Sequence, residues 1–454
     1  MACASADLEF VLNGKPVQAG GIAPQTTLLD YIRSQGLTGA KEGCAEGECG
    51  ACAVLFVRPG PVGTVYQSVN SCLVPLPAAS GQEVYTVEAL AESGELADPQ
   101  RAMADGGGSQ CGYCTPGFIV SMFACQQSGR ELHSDALGGN LCRCTGYRPI
   151  RDALRSLGPP RDTPLRRRLR SAAPAVDPVE YKSAEGSFSR PCDLSACLKL
   201  AAEYATARFV AGNTDLGVMT NLRHERFPHL ISLEGVPELR EFEDREDCVE
   251  IGAGLTLTEI EERWVSMPAF FREWLRLFAS PLIRNRATLG GNLATASPIG
   301  DSAPLLLAVD AELRICGTTG ERVIPLHSFF RGYRQTALHR GEIIRSVRIP
   351  RPLPPLVRFY KVAKRRVDDI STVAAAISLR TGTARVGLGG VGPVPLRAKE
   401  VEAAIVDGFD PERVREILER TLRPMNDHRG SAAYRLAMAA SLVEKCFFET
   451  GAGR

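Results

Sequence analysis

Four cysteines near the N-terminus have the spacing of a metal–sulfur site. Cys44, Cys49 and Cys52 lie in the glycine-rich stretch KEGCAEGECGAC, and Cys72 follows further along the chain. This C-x4-C-x2-C pattern with a distant fourth Cys is the plant-type spacing that holds a [2Fe–2S] cluster. The glycines between the thiols allow a tight loop whose N–H groups point at the sulfurs. A zinc site or a disulfide framework is the alternative, although zinc sites usually show two closely spaced Cys pairs.

A second set of thiols follows in a region of helical patterns. Cys111 and Cys114 form a C-x2-C pair in QCGYCTPG, and Cys142 and Cys144 form a C-x-C pair in LCRCTGYRP. Taken alone, two Cys pairs also suit zinc. Because this set directly follows a ferredoxin-like segment, we predict that it holds a second [2Fe–2S] cluster.

A phosphate-binding turn is predicted in the middle of the chain. An apolar strand at 208–211 leads straight into GNTDLG at 212–217, after which a helical pattern begins. A strand, a glycine-containing turn and a helix start place free N–H groups where a phosphate can bind. The alternative is an ordinary turn between a strand and a helix.

The stretch 281–303, PLIRNRATLGGNLATASPIGDSA, is rich in small and polar residues and lies between apolar helical patterns. It is long for a loop without a function. We predict that its glycines let the backbone approach a large ligand, and that hydrogen bonds to this ligand come from Thr288, Asn292, Thr295 and Asp301.

One glycine-rich motif near the C-terminus does not meet the requirements of a dinucleotide site. Residues 387–392 fit G-x-G-x-x-G, but Pro393 and Pro395 stand where the helix of such a site would begin. We therefore predict a strand that ends in a tight turn.

The elements that must position these motifs predict a multidomain α+β protein. Extended segments at 7–12, 15–18, 53–57 and 65–70, with a helix at 26–34, make a small ferredoxin-like β-grasp domain. From residue 181 the pattern becomes α/β, with a helix at 193–205 that Asp193 caps. The last hundred residues alternate predicted strands (358–362, 372–379, 385–388) with predicted helices (396–405, 411–422, 431–447).

Composition narrows the class of protein. The chain has 454 residues and a formal net charge of +1, so nothing favours binding to nucleic acid or to an anionic membrane. No segment approaches the roughly 18 apolar residues of a membrane span, and the N-terminus lacks the features of a signal peptide. Fifteen Cys without an export signal indicate a reducing compartment, so the cytoplasm is the predicted location.

The ordered motifs resemble those of the small, iron–sulfur/FAD subunit of bacterial xanthine dehydrogenases, within the molybdenum hydroxylase family. The matching motifs cover nearly the whole chain: EGCAEGECGACAV, QCGYCTPGF, NLCRCTGYRPI, AGNTDLG, TLGGNLATASPIGD and KRRVDDIS. Two departures are mild, since Asp215 stands where many relatives carry Glu and Thr288 where some carry Ser.

The resemblance implies a domain order that extends the interpretation from the residues. The expected domains are a plant-type ferredoxin-like [2Fe–2S] domain (1–84), a helical-bundle [2Fe–2S] domain (85–160), a linker (161–180), an α+β FAD-binding domain of the vanillyl-alcohol-oxidase type (181–345) and a small C-terminal α+β domain (346–454). The linker contains a basic run at 166–170. We interpret this run as a solvated connector, with a partner-docking strip as the alternative.

The resemblance also implies site residues. The first Cys set would hold the cluster nearer the flavin, and the second set the cluster nearer the molybdenum cofactor. Phe278 would stack near the isoalloxazine ring, and segment 361–371 would lie where NAD approaches; a solvated loop is the alternative for that segment. The residues implied to bind FAD are Val210, Ala211, Gly212, Asn213, Thr214, Asp215, Leu216, Gly217, Phe278, Thr288, Gly291, Asn292, Thr295, Asp301, Ile344 and Lys361.

The activity implied by the resemblance is xanthine:NAD+ oxidoreduction. Electrons would pass from hypoxanthine or xanthine hydroxylation at molybdenum, through the two clusters, to FAD and then to NAD+. The sequence ends at Arg454 without a molybdopterin-binding region, so we expect substrate oxidation on a large partner subunit, in a dimer of heterodimers, and no catalytic residue here. The alternatives are the same role with an aldehyde or aromatic heterocycle as substrate, or an electron-transfer adaptor without an enzymatic partner.

Overall fold

The computed structural model describes residues 7–92, 94–129 and 131–451. The chain divides into two compact units, one formed by Met1–Pro237 with Ser280–Ala287 and the other by Glu238–Ala279 with Thr288–Arg454. The first six residues of the predicted ferredoxin-like domain, and the last three of the predicted C-terminal domain, lie outside the described residues. Within the described ranges, no helix combines the length and the apolar character that crossing a membrane requires.

The first unit begins with a five-stranded sheet and one short helix. Its elements are β1 (Asp7–Leu12), β2 (Lys15–Gly20), α1 (Leu28–Ser34), β3 (Ala53–Gly60), β4 (Gly63–Asn70) and β5 (Glu83–Tyr85). The strands pair in the order β2-β1-β5-β3-β4, with β1 and β5 parallel. A capping box starts α1, because the Thr27 hydroxyl accepts the Asp30 N–H while the Asp30 carboxylate accepts the Thr27 N–H. The cysteine loop runs between α1 and β3.

A helical region follows within the same unit. Its elements are α2 (Asp98–Asp105), α3 (Thr115–Ser128), α4 (Arg148–Arg155) and α5 (Pro164–Arg168). Helix α3 is apolar on nearly all sides and packs against β3, β4 and α2. A helix of this kind belongs in a core, and Phe118, Val120 and Met122 are fully buried.

The basic run is more ordered than a solvated connector. Arg168 forms an ion pair with the buried Glu83 at 2.7 Å. Arg166 donates to the carbonyl of Gln127 at the end of α3. The exposed Arg167 and Arg170 both pair with Asp162. The run therefore holds the connecting segment against the iron–sulfur part of the chain.

A four-stranded sheet completes the first unit. Its elements are β6 (Val179–Ser183), β7 (Gly186–Arg190), α6 (Leu194–Glu203), β8 (Arg208–Val210), α7 (Leu216–Leu222) and β9 (His229–Ser232). The strand order is β6-β7-β9-β8, in which β9 is parallel to both of its neighbours. The carboxylate of Asp193 accepts the Ala196 N–H at 2.7 Å, which confirms the predicted cap of α6.

The second unit contains a five-stranded antiparallel sheet. The next elements along the chain are β10 (Phe242–Asp244), β11 (Cys248–Gly252), α8 (Leu257–Arg263), α9 (Ala269–Leu277), α10 (Pro281–Arg284, in the first unit), α11 (Leu289–Ala294), α12 (Ser302–Ala308), β12 (Glu312–Gly317), β13 (Gly320–Pro325), β14 (Phe330–Gly332), β15 (Gln335–Thr336) and β16 (Ile343–Pro350). The strands of this sheet pair in the order β10-β11-β16-β12-β13. The stretch 281–303, which the sequence presents as a loop, therefore folds largely into short helices.

The C-terminal part of the second unit is a second antiparallel sheet with helices. Its elements are β17 (Leu356–Val362), β18 (Val373–Arg380), β19 (Thr383–Gly389), β20 (Leu396–Arg397), α13 (Lys399–Asp407), α14 (Pro411–Thr421) and α15 (Ala432–Thr450). The predicted start of the helix at 396–405 was wrong. Leu396 and Arg397 pair with β19 as an edge strand, and the helix begins at Lys399.

The motif at 387–392 is the end of β19 and a turn, as predicted. A Cβ added at Gly387 would lie 2.1 Å from the Pro304 carbonyl oxygen. This glycine is therefore required by the packing of α12 on the sheet. The multidomain α+β fold class, with ferredoxin-like, helical, flavin-type and C-terminal parts, is confirmed.

Candidate metal and flavin sites

The first set of thiols lies where the loop before β3 meets the turn after β4. The sulfurs of Cys52 and Cys72 are buried and 3.3 Å apart. Cys44 and Cys49 are partly exposed, and their thiols share a hydrogen bond. The four thiols thus stand as two pairs within one loop region.

The backbone of this loop favours negatively charged sulfur. The Cys49 N–H donates to the Cys44 sulfur at 3.4 Å. A hydrogen bond from the Cys49 thiol, supported by backbone N–H groups of Glu46, Glu48 and Cys49, lowers the pKa of Cys44 to about 5. Donors aimed at a sulfur stabilise the thiolate that binds metal. Ala45, Gly47 and Gly50 have positive φ angles of 58°, 85° and 66°, which turn these N–H groups inward.

The second set of thiols lies before two helices. Cys111 and Cys114 precede α3, and Cys142 and Cys144 precede α4. Cys111 interacts with Cys144, and Cys114 with Cys142, so these thiols also form two pairs. The outer pair, Cys111 and Cys144, is exposed, whereas Cys114 and Cys142 are partly buried.

The inner pair of the second set has an asymmetric environment. Burial and the hydrogen bond with Cys142 raise the pKa of Cys114 to about 12. Burial alone would raise the pKa of Cys142, but the Thr145 hydroxyl and N–H groups of Thr145 and Cys144 lower it below its ordinary value. The Thr145 N–H lies 3.4 Å from the Cys142 sulfur. Cys142 is therefore supported as a thiolate ligand.

Two pairs of thiols suit a binuclear cluster better than one ion. Among the described residues, no group of three or more His, Cys, Asp or Glu side chains is arranged to hold a single metal ion. A [2Fe–2S] cluster contains two irons, and four Cys ligands share them. The pairing of the thiols in both sets fits this demand.

In the first unit, the predicted phosphate-binding turn joins β8 to α7. Val210 ends the strand and is buried, whereas Asp215 is exposed. Asn213 adopts a φ of 62°, and its carbonyl accepts the Gly217 N–H. A Cβ added at Gly212 would lie 1.8 Å from the Arg286 carbonyl oxygen. Close packing against Arg286 therefore requires glycine at position 212, in addition to the approach of a phosphate that the sequence suggested.

Two asparagines tie this turn to the first thiol loop. The Asn213 side chain donates to the Leu73 carbonyl at 2.8 Å. The Asn221 side chain, on α7, donates to the carbonyls of Cys72 at 2.8 Å and Ala45 at 2.9 Å. Sequence analysis missed Asn221, because its partners are backbone carbonyls far away in the chain.

In the second unit, the helix α11 carries several predicted flavin contacts. The Thr288 hydroxyl accepts the Gly291 N–H at 3.0 Å, so Thr288 caps the helix. The Thr295 hydroxyl donates to the Asn292 carbonyl. By contrast, the side-chain oxygen Oδ1 of Asn292 is buried without a hydrogen-bond partner. Such an atom is costly unless a ligand bonds it, so Asn292 fits a cofactor contact.

A buried ion pair lies nearby in the same unit. The Lys361 ammonium lies 2.7 Å from the Asp301 carboxylate, and the two side chains are 3% and 8% exposed. Lys361 also donates to the Leu277 carbonyl at 2.9 Å, and the Ser371 hydroxyl donates to the other Asp301 oxygen. Both predicted contacts, Asp301 and Lys361, are thus brought together and held rigidly.

The two remaining predicted contacts are apolar. Phe278 is buried and packs edge-on against Trp274, with ring centroids 5.5 Å apart. Ile344 is buried in β16. The next residue after Phe278, Ala279, has a φ of 44°, a conformation that non-glycine residues rarely adopt. These features make Phe278 a fixed apolar surface.

Fold and sites together define an iron–sulfur flavoprotein, and family models match its four parts in order. They are a 2Fe-2S iron–sulfur cluster binding domain (10–77), a [2Fe-2S] binding domain (86–155), the FAD binding domain in molybdopterin dehydrogenase (182–352) and the CO dehydrogenase flavoprotein C-terminal domain (358–450). The chain belongs to the molybdenum hydroxylase family. Its cofactors are two [2Fe–2S] clusters and FAD.

Curated relatives and solved structures agree with this family. Xanthine dehydrogenase of Emericella nidulans is 33% identical over 87% of this chain and 35% of that protein. Xanthine dehydrogenase 2 of Arabidopsis thaliana is 34% identical over 87% of this chain and 36% of that protein. The chain therefore spans little more than a third of the length of these relatives.

Among solved structures, carbon monoxide dehydrogenase from Hydrogenophaga pseudoflava is 29% identical, with a TM-score of 0.54, over 57% of this chain and 94% of that one. Quinoline 2-oxidoreductase from Pseudomonas putida 86 is 27% identical, with a TM-score of 0.53, over 58% of this chain and 97% of that one. The solved structures that this chain resembles are thus named as enzymes with different substrates.

The paired thiols generate a prediction for the metal. Cys44→Ser should remove the EPR signal of one reduced cluster and Cys142→Ser that of the other, each with loss of the iron of one cluster, because Ser supplies no thiolate. Cys125→Ser is the matched control, since Cys125 lies on α3 outside both sets, and it should keep both signals. Stoichiometric zinc without iron in the native protein would contradict the assignment.

The buried Asn292 oxygen without a hydrogen-bond partner leads to a prediction for FAD occupancy and for the stability of the flavin-free protein. Asn292→Leu should lower FAD occupancy, because the variant cannot make the hydrogen bond that we predict between Asn292 and the cofactor. It should raise the stability of the flavin-free protein by about 1 kcal/mol or more, because a buried unsatisfied acceptor is removed. FAD content and thermal unfolding of both forms measure the two effects.

The control for Asn292 is Gln127→Met. Gln127 Oε1, at the end of α3, is also buried without a partner. Its replacement should leave FAD occupancy unchanged. If Asn292→Leu keeps full FAD, Asn292 is no cofactor contact.

Proposed function

We propose that this chain is the iron–sulfur/FAD electron-transfer subunit of a xanthine dehydrogenase. In this role it receives electrons from hypoxanthine or xanthine hydroxylation at a molybdenum site on a large molybdopterin-binding partner subunit. It passes them through two [2Fe–2S] clusters to FAD and then to NAD+. The names of the curated relatives support xanthine as the substrate. We also propose that the two subunits form a dimer of heterodimers, and that this complex is located in the cytoplasm.

The observation that carries the electron-transfer role is the position of the first thiol loop in the first unit. On one side, Asn213 and Asn221 bind the carbonyls of Leu73 and Cys72. On the other side, the Cys49 carbonyl accepts the N–H of Leu141, the residue before Cys142. These contacts support a relay, because the thiol set that we propose for the first cluster lies between the set proposed for the second cluster and the turn proposed for the pyrophosphate.

The flavin converts between two kinds of electron transfer. Iron–sulfur clusters exchange single electrons, whereas NAD+ takes up a hydride, and a flavin handles both. We assign the eight paired thiols to the clusters and the turn 212–217 to the pyrophosphate of FAD. Asn292, Asp301 and Lys361 supply polar contacts to the cofactor, and Phe278 and Ile344 supply apolar ones.

A second candidate differs only in the substrate. The similar solved structures are named as a carbon monoxide dehydrogenase and a quinoline 2-oxidoreductase, which supports the same electron-transfer role beside a partner subunit that oxidises another substrate, such as an aldehyde or an aromatic heterocycle. The cofactors and the substrate specificity of the protein that co-purifies with the native chain distinguish these candidates. An electron-transfer adaptor would co-purify with no molybdenum-containing subunit.

The relay generates a prediction for the chain isolated with its cofactors. NADH should bleach the flavin, and both cluster signals should then appear, because these carriers are reversible. An artificial dye should be reduced at the expense of NADH. Xanthine should reduce neither cofactor until the molybdenum-bearing subunit is added. Absorbance and EPR after each addition measure these steps.

Two results would contradict the proposal in different ways. Oxidation of xanthine by the isolated chain would place a substrate site within it. A flavin that NADH fails to reduce, in a preparation with full FAD and iron, would indicate another electron acceptor and would leave the cluster relay intact.

The segment 364–371, which follows β17, is folded upon itself. The Asp369 carboxylate accepts the N–H groups of Arg365 at 2.8 Å and Ile370 at 2.9 Å. Asp368 is 4% exposed and has a φ of 52°. The Ser371 hydroxyl donates a hydrogen bond to the carboxylate of Asp301, which forms the ion pair with Lys361. Lys364, Arg366 and Ile370 are exposed, but these contacts favour an ordered segment over a solvated loop. We propose this segment as the border of the NAD site.

This segment generates a prediction for the redox potential. Asp368→Asn removes a charge while keeping a residue that tolerates a positive φ. Loss of negative charge near the ring should raise the flavin midpoint potential, and a shift of about 30 mV corresponds to about 1.4 kcal/mol. The KM for NAD+ should fall, because the cofactor is anionic. Redox titration and steady-state kinetics measure the two values.

The control is Asp407→Asn, at an exposed carboxylate at the end of α13. It should change neither value. If Asp368→Asn also changes neither, with normal FAD content, the segment does not border the flavin.

A further inference from the structure

The loops that carry the two cluster sites meet through one backbone hydrogen bond. The Leu141 N–H donates to the Cys49 carbonyl oxygen at 3.0 Å. Cys49 belongs to the first thiol set, and Leu141 is bonded covalently to Cys142 of the second set. Only this hydrogen bond interrupts an otherwise covalent path between two ligand residues of different clusters.

A buried asparagine holds the two loops together beside this bond. Asn140 is 3% exposed. Its Nδ2 donates to the Gly50 carbonyl at 3.2 Å, and its Oδ1 accepts the Ser121 hydroxyl of α3 at 2.7 Å. Asn140 thus connects the loop of the first set, the loop of the second set and the central helix, and it touches no thiol in doing so.

Glycines make this approach of backbone to backbone possible. A Cβ added at Gly50 would lie 2.2 Å from the Gly139 carbonyl oxygen. One added at Gly117 would lie 2.1 Å from the Gly50 carbonyl oxygen. Contacts this short do not occur, so any side chain at either position would move the loops apart. Gly50 and Gly117 leave no room for a side chain, and Asn140 donates to the Gly50 carbonyl at the same place. These three residues therefore specify the close approach of the two loops.

The side chain of Tyr113 makes another contact between the two loops. The Tyr113 hydroxyl donates to the Glu42 carbonyl, near Cys114 and Cys44 respectively. This path runs through the whole Tyr113 side chain, which is 47% exposed, and so crosses many more bonds. The path through Leu141 is shorter and better shielded from water.

We propose that the hydrogen bond from Leu141 to the Cys49 carbonyl is the electron route between the two [2Fe–2S] sites, and that Asn140 is the positioning residue that keeps it closed. Each transfer carries one electron. With both clusters bound, one cluster would lose and the other would gain one electron, and no covalent bond would form or break. The inference rests on the proposed cluster ligands but not on the substrate or on NAD+.

The test uses the full chain with its cofactors and two variants that open the contact differently. Asn140→Ala removes the link to Gly50, and Gly117→Ala pushes the Gly50 carbonyl away. After a pulse of a photochemical one-electron reductant, freeze-quenched EPR follows the rate at which the two cluster signals equilibrate. We expect this rate to fall severalfold in both variants. Iron content and both midpoint potentials should stay unchanged, because neither variant alters a thiol or its N–H donors.

Three controls match these variants. Gln126→Ala removes another buried amide that bonds a backbone carbonyl, that of Gly158. Gly158→Ala adds a methyl group where no atom lies within 4 Å. Tyr113→Phe removes the alternative path. All three should equilibrate at the rate of the unmodified chain.

Each outcome decides the question. If both variants keep full iron and equilibrate at the unmodified rate, or if Tyr113→Phe alone slows the transfer, the proposal is wrong. If the variants lose iron, hydrogen exchange of the Leu141 amide in the unmodified protein decides, since exchange as fast as that of an exposed amide would exclude a closed hydrogen bond. Missing iron in the unmodified protein would instead disprove the cluster ligands, and so the proposed function.

Discussion

The structure depends on the need to hold negative sulfur inside a folded chain. Burying charge is costly unless hydrogen bonds compensate it. Here the compensation is supplied by the backbone, because positive φ angles in the loop before β3 direct N–H groups at Cys44. Such a loop has little internal stability of its own. The capped helix α1 fixes one end of the loop, and strand β3, paired with β4, fixes the other end. The packing of this part therefore keeps the loop in place.

The same constraint explains how the parts of the first unit are joined. A loop wrapped around a cluster presents its carbonyl oxygens outward, since its N–H groups face inward. Those carbonyls need donors, and the neighbouring parts provide them from Asn140, Asn213 and Asn221. The contacts between cofactor sites are therefore a consequence of how each site is built. An amide side chain is suited to this task because it donates without adding charge.

Sequence predicted the parts of the sites that are local and missed those that depend on distant backbone. Most of the Cys residues were visible because they recur at short spacings, as in Cys44, Cys49 and Cys52 or in the two pairs of the second set. Asn221 and Asn140 were not, since their partners are carbonyls that only folding brings near. The stretch 281–303 was predicted as a loop, because small residues that allow close helix packing resemble those of a flexible segment. Gly212 shows the same ambiguity, since its neighbour is the Arg286 carbonyl.

The unequal exposure of the two thiol sets has a consequence for how the protein ages. Cys111 and Cys144 face solvent, whereas Cys52 and Cys72 are buried. In the chain without a partner subunit, a chelator or peroxide therefore reaches the second thiol set first. Once iron is lost there, the adjacent Cys111 and Cys144 thiols are placed to oxidise to a disulfide, which blocks refilling. For the chain kept apart from its proposed partner subunit, oxidation would therefore begin at the second thiol set, while Cys52 and Cys72 are still protected by burial.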